Sequence, residues 1–493
     1  MIAANLPALQ VVVPLLGAVI CAFLRRGAVA WAITLVVCLV MPAIASTLLA
    51  QVLTSGPISY ALGGWRPPIG IEYRVDVLSA FILLLVSVIA AIMLPYAKRS
   101  IEQEIPADKH TWYYAIFLLC LCGLLGMAIS GDAFNIFVFM EVSSLATYAL
   151  ISMGKDRRAL LAAYQYLVMG TIGATFYVIG VGFLYSMTGT LNLADMASRL
   201  AGIENSRPVL AALAFLTVGI SLKLALFPLH VWLPNAYAFA PSVATAFLAA
   251  TATKVAVYLL LRYFFTVFGA SVIFAHLPTT EVFLLLSVAA MFGASIVAVF
   301  QENVKRMLAY SSVAQIGYIT LGIAIANQAG LTGGIVHLFN HALMKGALFL
   351  AIGAVVYQTG VVKISDMAGL GKRMPLMMGA FLVGGLSLIG VPGTVGFISK
   401  WYLVYGALEQ DWWWLAILIV ASSLISVVYI GRVVEVVWFR QASGPVKRAT
   451  DPPASMLLPT LLLAAMTVYF GIDTSATAGV AGLAADWLLA GIR

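Results

Sequence analysis

The chain has 493 residues, 63% of them hydrophobic and 9% charged, with a mean hydropathy of +1.04. Water-soluble domains carry roughly 45–50% apolar and about 25% charged residues, so a soluble globular protein is excluded. The formal charge of +8 could point to nucleic acid, but its placement in short loops between apolar runs argues against that partner.

Apolar runs of about 20 residues, each able to cross a ~30 Å hydrocarbon core as a helix, recur almost end to end. Fourteen spans are predicted, at 5–24, 29–53, 75–96, 112–130, 133–153, 160–187, 208–228, 241–265, 281–300, 305–327, 329–358, 376–408, 413–437 and 454–472. The strict alternation of membrane-barrel strands is missing, so the predicted fold class is an all-α integral membrane protein. The opening MIAANLPALQVVVPLLG lacks a basic n-region and a small-residue cleavage site, so it reads as the first span, not a signal peptide. Pro228, Pro234, Pro392 and Gly393 interrupt otherwise helical segments. The tail 473–493 reads as a short surface or partial helix. The chain divides into 1–110 with spans 1–3, 111–440 with spans 4–13, and 441–493 with span 14 and the tail.

Assigning loops alternately to two sides puts sixteen cations on one side, Lys305 and Arg306 among them, and four on the other (Arg66, Arg74, Arg199 and Arg207). That bias predicts both termini on the non-cytoplasmic side. The cysteines Cys21, Cys38, Cys120 and Cys122 all lie in apolar spans without iron–sulfur spacing and read as packing residues.

Lys223, Lys254, Arg262, Lys345, Lys400 and Glu141 lie in or near spans. A charge at the bilayer centre costs ~2.5–3.5 kcal/mol even on the insertion scale, so such residues face a wet cavity or a partner and mark ion paths. Glu141 lies about eight residues, hence roughly 12 Å, into span 5. Lys254 lies about thirteen residues after Pro241, a residue suited to the first helical turn, and is again near mid-membrane. Lys223 precedes Pro228 in SLKLALFPLHVWLP, with His230 just beyond, and Lys400 follows Pro392-Gly393 in GVPGTVGFISKWY. Broken helices commonly line ion sites in transporters, so the two lysines read as corresponding elements of the two halves. In HLFNHALMK, His337, His341 and Lys345 recur every four residues, on one stripe about 80° wide and ~12 Å tall. Histidine suits a proton relay. Paired histidines at this spacing can also hold zinc, but zinc needs further ligands and the neighbouring lysine opposes a cation. Packing against other helices is the remaining alternative. Lysine exchanges protons where arginine stays charged, so a Glu141–Lys223 pair could hold or release a proton as it closes or separates.

The stretches FMEVSSLATYAL, YSMTGTLNLADM, LKLALFPLHVWLPNAYAFAPSVATAFLAATATKVAVYLLLR, QENVKRMLAYSSVAQIGY, HLFNHALMKGALFL and GVPGTVGFISKWYL resemble the antiporter-like subunits shared by respiratory complex I, membrane-bound hydrogenases and Mrp-type cation/proton antiporters. The resemblance covers nearly the whole chain and is firmest over about residues 110–400. It implies two inverted five-helix repeats, spans 4–8 and 9–13, with spans 7 and 12 broken, so that 111–440 would be the proton-conducting core. By motif position it implies a proton path through Glu141, Lys223, Lys254, His337, His341 and Lys400, with His230, Lys345, Pro228 and Pro392 in supporting places. One complex I paralogue has glutamate at the position of Lys400, which weighs against that single carry-over. Length, Lys400 and the wording of HLFNHALMKGALFL look most like the D-type member of an Mrp-type sodium/proton antiporter. The alternative is a proton-pumping subunit of complex I or a hydrogenase. A third reading is a scaffold or inorganic-carbon uptake subunit that has lost pumping, and the intact charge set opposes it. With no GxxxxGK[ST] loop and no iron–sulfur cysteine set, no cofactor, metal or redox chemistry of its own is expected. The expected partners are other membrane subunits, protons, Na+ (or K+ or Li+) and the lipid of a plasma membrane.

Overall fold

A computed structural model describes residues 3–490. The molecule is almost wholly helical. Its helices are α1 (Leu6–Phe23), α2 (Gly27–Ser55), α3 (Val77–Glu104), α4 (His110–Ile129), α5 (Ala133–Ser152), α6 (Arg158–Thr188), α7 (Leu193–Leu200), α8 (Arg207–Leu224), α9 (Trp232–Phe239), α10 (Ser242–Leu261), α11 (Thr279–Val299), α12 (Val304–Ile325), α13 (Gln328–Thr359), α14 (Leu370–Arg373), α15 (Pro375–Ile389), α16 (Val395–Glu409), α17 (Trp413–Phe439), α18 (Ala454–Ile472) and α19 (Val480–Ala490). Among the described residues thirteen helices are long and apolar enough to cross a membrane, or fourteen when a bent pair ending at Ile389 counts as one. Each predicted span has its helix: span 7 is matched by α8, with the short α9 lying beyond its predicted end, and span 12 by α15 and α16.

Polar caps set the boundaries. Asp76 opens α3 with a reciprocal capping box to Ser79. Asp132, Asn303 and Asn327 accept from backbone N–H groups at the starts of α5, α12 and α13. Each satisfies a donor that the helix itself leaves free. Burial ranks the helices. In α10 and α12, 94% of the best apolar window is inside the protein, against 33% in α17. The centre is therefore α10, α12 and α13, with α2, α6 and α17 at the periphery. Close helix contact in this centre needs small residues: a Cβ on Gly322 of α12 would lie 2.6 Å from the Gly330 carbonyl oxygen of α13.

The connections carry a repeated pattern. Asp132 pairs with Asn192 in an isolated antiparallel bridge between the loops after spans 4 and 6. Asn303 pairs with Lys363 in the same way between the loops after spans 9 and 11. The backbone bonds correspond one to one: Ala133 to Leu191 and Leu193 to Gly131 in the first, Val304 to Val362 and Ile364 to Glu302 in the second. Because successive spans alternate in direction, the two bridges lie on opposite faces.

Four expectations need correction. A two-stranded hairpin, β1 (Ile58–Ala61) with β2 (Glu72–Val75), stands in the α2–α3 connection, where span counting left only loop. Pro234 does not interrupt a helix; it sits in the first turn of α9, where its missing N–H costs nothing. Of the two readings of the tail, the partial helix holds and the surface helix does not, because α19 buries Ala481, Ala484, Ala485 and Leu488. Lys305 is not a loop cation: it begins α12, is 4% exposed, and donates to the Ser242 hydroxyl at 2.9 Å. Ser242 in turn donates to the carboxylate of Glu104 through its N–H and its hydroxyl.

Candidate functional site: a buried polar line between two broken spans

Span 7 breaks because Ala225 takes a left-handed conformation, φ 60°, directly after α8. A residue with a Cβ pays about 1–2 kcal/mol there, so the surroundings must hold the turn. Two contacts do so: Leu226 donates to the Ser221 carbonyl at 3.0 Å, and the Trp232 indole donates to the Leu222 carbonyl at 3.0 Å. Lys223 is thereby fixed in the last turn of α8. Its ammonium donates to the Ser144 hydroxyl and lies 3.8 Å from Glu141 Oε1. The Glu141–Lys223 contact is an ion pair without a hydrogen bond, and Glu141 Oε1 is buried with no hydrogen-bond partner. Glu141 itself stays 26% exposed, on a face of α5 that also presents Phe134, Val138 and Leu145.

Span 12 breaks at Gly390, φ 93°, and resumes at Val395. Only glycine fits at 396, since a Cβ there would run into the Ser387 carbonyl oxygen. The Lys400 ammonium donates to the carbonyls of Leu388 and Ile389, at 3.0 and 2.8 Å, which the break has released from helical bonding. It also lies 4.7 Å from the centre of the Tyr318 ring. Each break thus carries a lysine, but with different partners: a carboxylate and a hydroxyl at Lys223, backbone carbonyls and an aromatic face at Lys400.

Between them stand Lys254 on α10 and the histidine stripe on α13, all fully buried. The Lys254 ammonium donates to the Ala249 carbonyl and, at 3.3 Å, to the Thr253 hydroxyl. It is close enough to bear electrostatically on His337, His341 and Lys345, as Lys400 does on His337. His337 bonds the Ser399 hydroxyl at 2.7 Å and the Gln315 amide oxygen at 2.9 Å. The rings of His337 and His341 stack 6.2 Å apart. Both ring nitrogens of His341 are buried without a hydrogen-bond partner among the described residues, where most buried polar atoms have one. Lys345 donates to the Leu308 carbonyl at 2.8 Å and to the Ser311 hydroxyl.

The supporting residues separate. His230 lies half-buried on the α8–α9 connection, stacked 5.2 Å from Phe227. Pro228 and Pro392 sit exposed in the two breaks. Residues that sequence reasoning passed over complete the line: Ser144, Gln315, Tyr318 and Ser399. Ser311, Gln315 and Tyr318 recur along one side of the deeply buried α12, and that polar periodicity was the available signal. All four cysteines are buried, with Cys120 against Thr147 and Cys122 against the Val11 carbonyl.

Known proteins resemble the chain along its whole length. The family described as NADH:quinone oxidoreductase/Mrp antiporter, transmembrane, matches residues 130–426. The N-type subunit of the NADH-quinone oxidoreductase of Desulforudis audaxviator is 43% identical, covering 95% of this chain and 96% of that protein. The D-type subunit of the Na(+)/H(+) antiporter of Bacillus subtilis is 29% identical, covering 98% and 97%. Among solved structures, a chain of the membrane-bound sulfane sulfur reductase, an archaeal respiratory membrane complex, superposes with a TM-score of 0.90 at 32% identity, covering 98% of each.

Proposed function

Since the chain belongs to the NADH:quinone oxidoreductase/Mrp antiporter transmembrane family, we propose that it carries protons along Glu141, Lys223, Lys254, His341, His337 and Lys400 as one membrane subunit of a larger complex. The observation that carries this reading is His341, fully buried between Lys254 and His337 with both ring nitrogens unpartnered. A side chain desolvated in that way and left without a structural bond is costly unless protons or water use it. The neighbours expected at both ends of the line fit the surface: Glu141 shares an open face of α5, and α16, which carries Lys400, also exposes Trp401 and Tyr405. An exposed carboxylate on a lipid face is unfavourable, so another subunit covers it.

Of the two assemblies weighed, the redox-linked one is favoured by the 43% identity to an N-type oxidoreductase subunit, against 29% to a D-type antiporter subunit. The D-like sodium/proton antiporter remains the second reading, favoured by near-complete coverage of that relative. The location proposed is the plasma membrane, with both termini outside the cytoplasm, from the sixteen-to-four cation asymmetry. Purifying the complex through a tag on this chain tests the choice. Co-purified iron–sulfur and quinone-reducing subunits, with proton flux driven by electron transfer in proteoliposomes, support the first reading. Small antiporter subunits, with flux driven by a sodium gradient, support the second, and a complex that moves no protons under either driving force overturns both.

A further inference from the structure

A second buried charged cluster lies off the line described above, and it rests on α10, the helix that carries Lys254. Lys254, Tyr258 and Arg262 recur every four residues on one stripe, so Arg262 stands about 12 Å along the axis from Lys254. There α10 widens into a π-helical turn, Arg262–Val267, a deformation frequent at functional sites. The Arg262 guanidinium donates to the Tyr258 hydroxyl at 2.9 Å and to Asp76 Oδ1. It lies between the rings of Tyr258 and Trp487, 5.0 and 5.4 Å from their centres. Asp76 is 1% exposed and Arg262 5%. Asp76 Oδ2 and Thr266 Oγ1 are both buried without a hydrogen-bond partner. Together with Arg74, Ser130, Tyr258 and Arg262 they line a cavity of about 20 Å³, and a water molecule needs roughly 10–15 Å³.

We infer that Asp76, held by Arg262 beside this water-sized cavity, is the carboxylate through which protons pass between the buried line and the membrane face carrying the α2–α3 connection. The inference rests on the proton-carrying reading above. A capping role alone accounts for Asp76 Oδ1, which takes the Ser79 N–H; it leaves Oδ2 without a partner on a residue that lines the cavity. A proton arriving from the Lys254 side adds to Oδ2 and gives the neutral acid, which loosens the pair while Arg262 keeps its charge. Loss of that proton to water in the cavity regenerates the carboxylate, and Arg262 closes on it again. The fixed guanidinium repels other cations, so the site passes protons singly and bars sodium.

The test uses the intact complex in proteoliposomes, with a pH dye reading proton flux. Asp76→Asn is expected to leave assembly intact and to cut flux by on the order of tenfold or more. The double variant Asp76→Asn/Arg262→Gln, which removes the uncompensated charge, is expected to stay equally slow. Flux restored in the double variant, or unimpaired in the single one, would mean a merely structural ion pair and would overturn the inference. Thr266→Cys gives an independent readout should those variants fail to assemble. A small membrane-impermeant methanethiosulfonate added on that face is expected to label this chain and block flux, while in the complex without the substitution this chain, whose four cysteines are buried, stays unlabelled. No labelling, or labelling without effect on flux, refutes the outlet. Absence of flux in the unmodified complex instead refutes the translocation reading, and the Thr266→Cys labelling still reports on access.

Discussion

At the scale of single residues the two ends of the line call for different substitutions. Opposite charges ~4 Å apart interact by about 4 kcal/mol at an effective dielectric of about 20, so Glu141 is the principal charge setting how firmly Lys223 holds its proton. Glu141→Gln keeps shape and removes that charge; proton flux in proteoliposomes is expected to fall by on the order of tenfold or more with assembly unchanged. Normal flux would exclude the pair from the path. Lys400 answers to backbone carbonyls and Tyr318, so Lys400→Ala is expected to stop flux, whereas Lys400→Glu, facing carbonyl oxygens, is expected to retain only a fraction. For His341→Ala the expected loss is greatest at alkaline pH, where free protons are scarce. A pH profile parallel to that of the unmodified protein would return His341 to a packing role. All these residues were legible in the sequence because a charge or histidine inside an apolar run is conspicuous. Ser144, Gln315 and Ser399 were not, since an uncharged polar residue in a span is common and only its partner shows its use. Asp76 was hidden for another reason: it precedes α3 by one residue and reads as a helix cap, and its Arg262 partner lies 186 positions away.

The elements that position these groups are the two interruptions, and each has a checkable cause. Ala225 is held at φ 60°, which a β-branched side chain does not tolerate. Ala225→Val is therefore expected to lower the melting temperature in detergent and to reduce flux together, while Ala225→Gly is expected to preserve both. Equal behaviour of the two variants would show that the left-handed turn is not what sets Lys223. At the other break Gly396→Ala meets the Ser387 carbonyl and is expected to prevent assembly. Both breaks were visible beforehand from proline and glycine, and the long apolar helices from hydropathy, because a bilayer leaves a chain few other solutions. Pairings between distant loops were not visible. The bridges Asp132–Asn192 and Asn303–Lys363 use backbone groups, which carry no residue signature, so the repeated pattern emerges only when the helices are in place. Lys305 misled for a related reason: it follows a loop in sequence, and its polar partner Ser242, itself bonded to Glu104 of α3, comes from distant α10.

On the scale of the whole molecule the polar line runs from the open face of α5, past α8, α10 and α13, to α16. Neighbouring charges ~10 Å apart interact by roughly 1.7 kcal/mol at an effective dielectric of about 20, so moving a proton at one point biases the next by more than tenfold. Such a push needs a source at one end and a receiver at the other. Neither is present among the described residues: the last ionisable group of the line at one end is Glu141, partly exposed on α5, and at the other Lys400, one residue from the exposed Trp401. The single polypeptide, expressed alone and shown by its melting transition to be folded, is therefore expected to give no sodium-driven and no redox-driven proton flux in proteoliposomes. Adding back the neighbouring membrane subunits is expected to restore it. Glu141→Gln in the restored complex should then block flux although the new partners are in place, because the push enters through that carboxylate. Robust flux from the lone chain would show that the line is driven from within, and would remove the reason for assigning this protein to a side-by-side assembly.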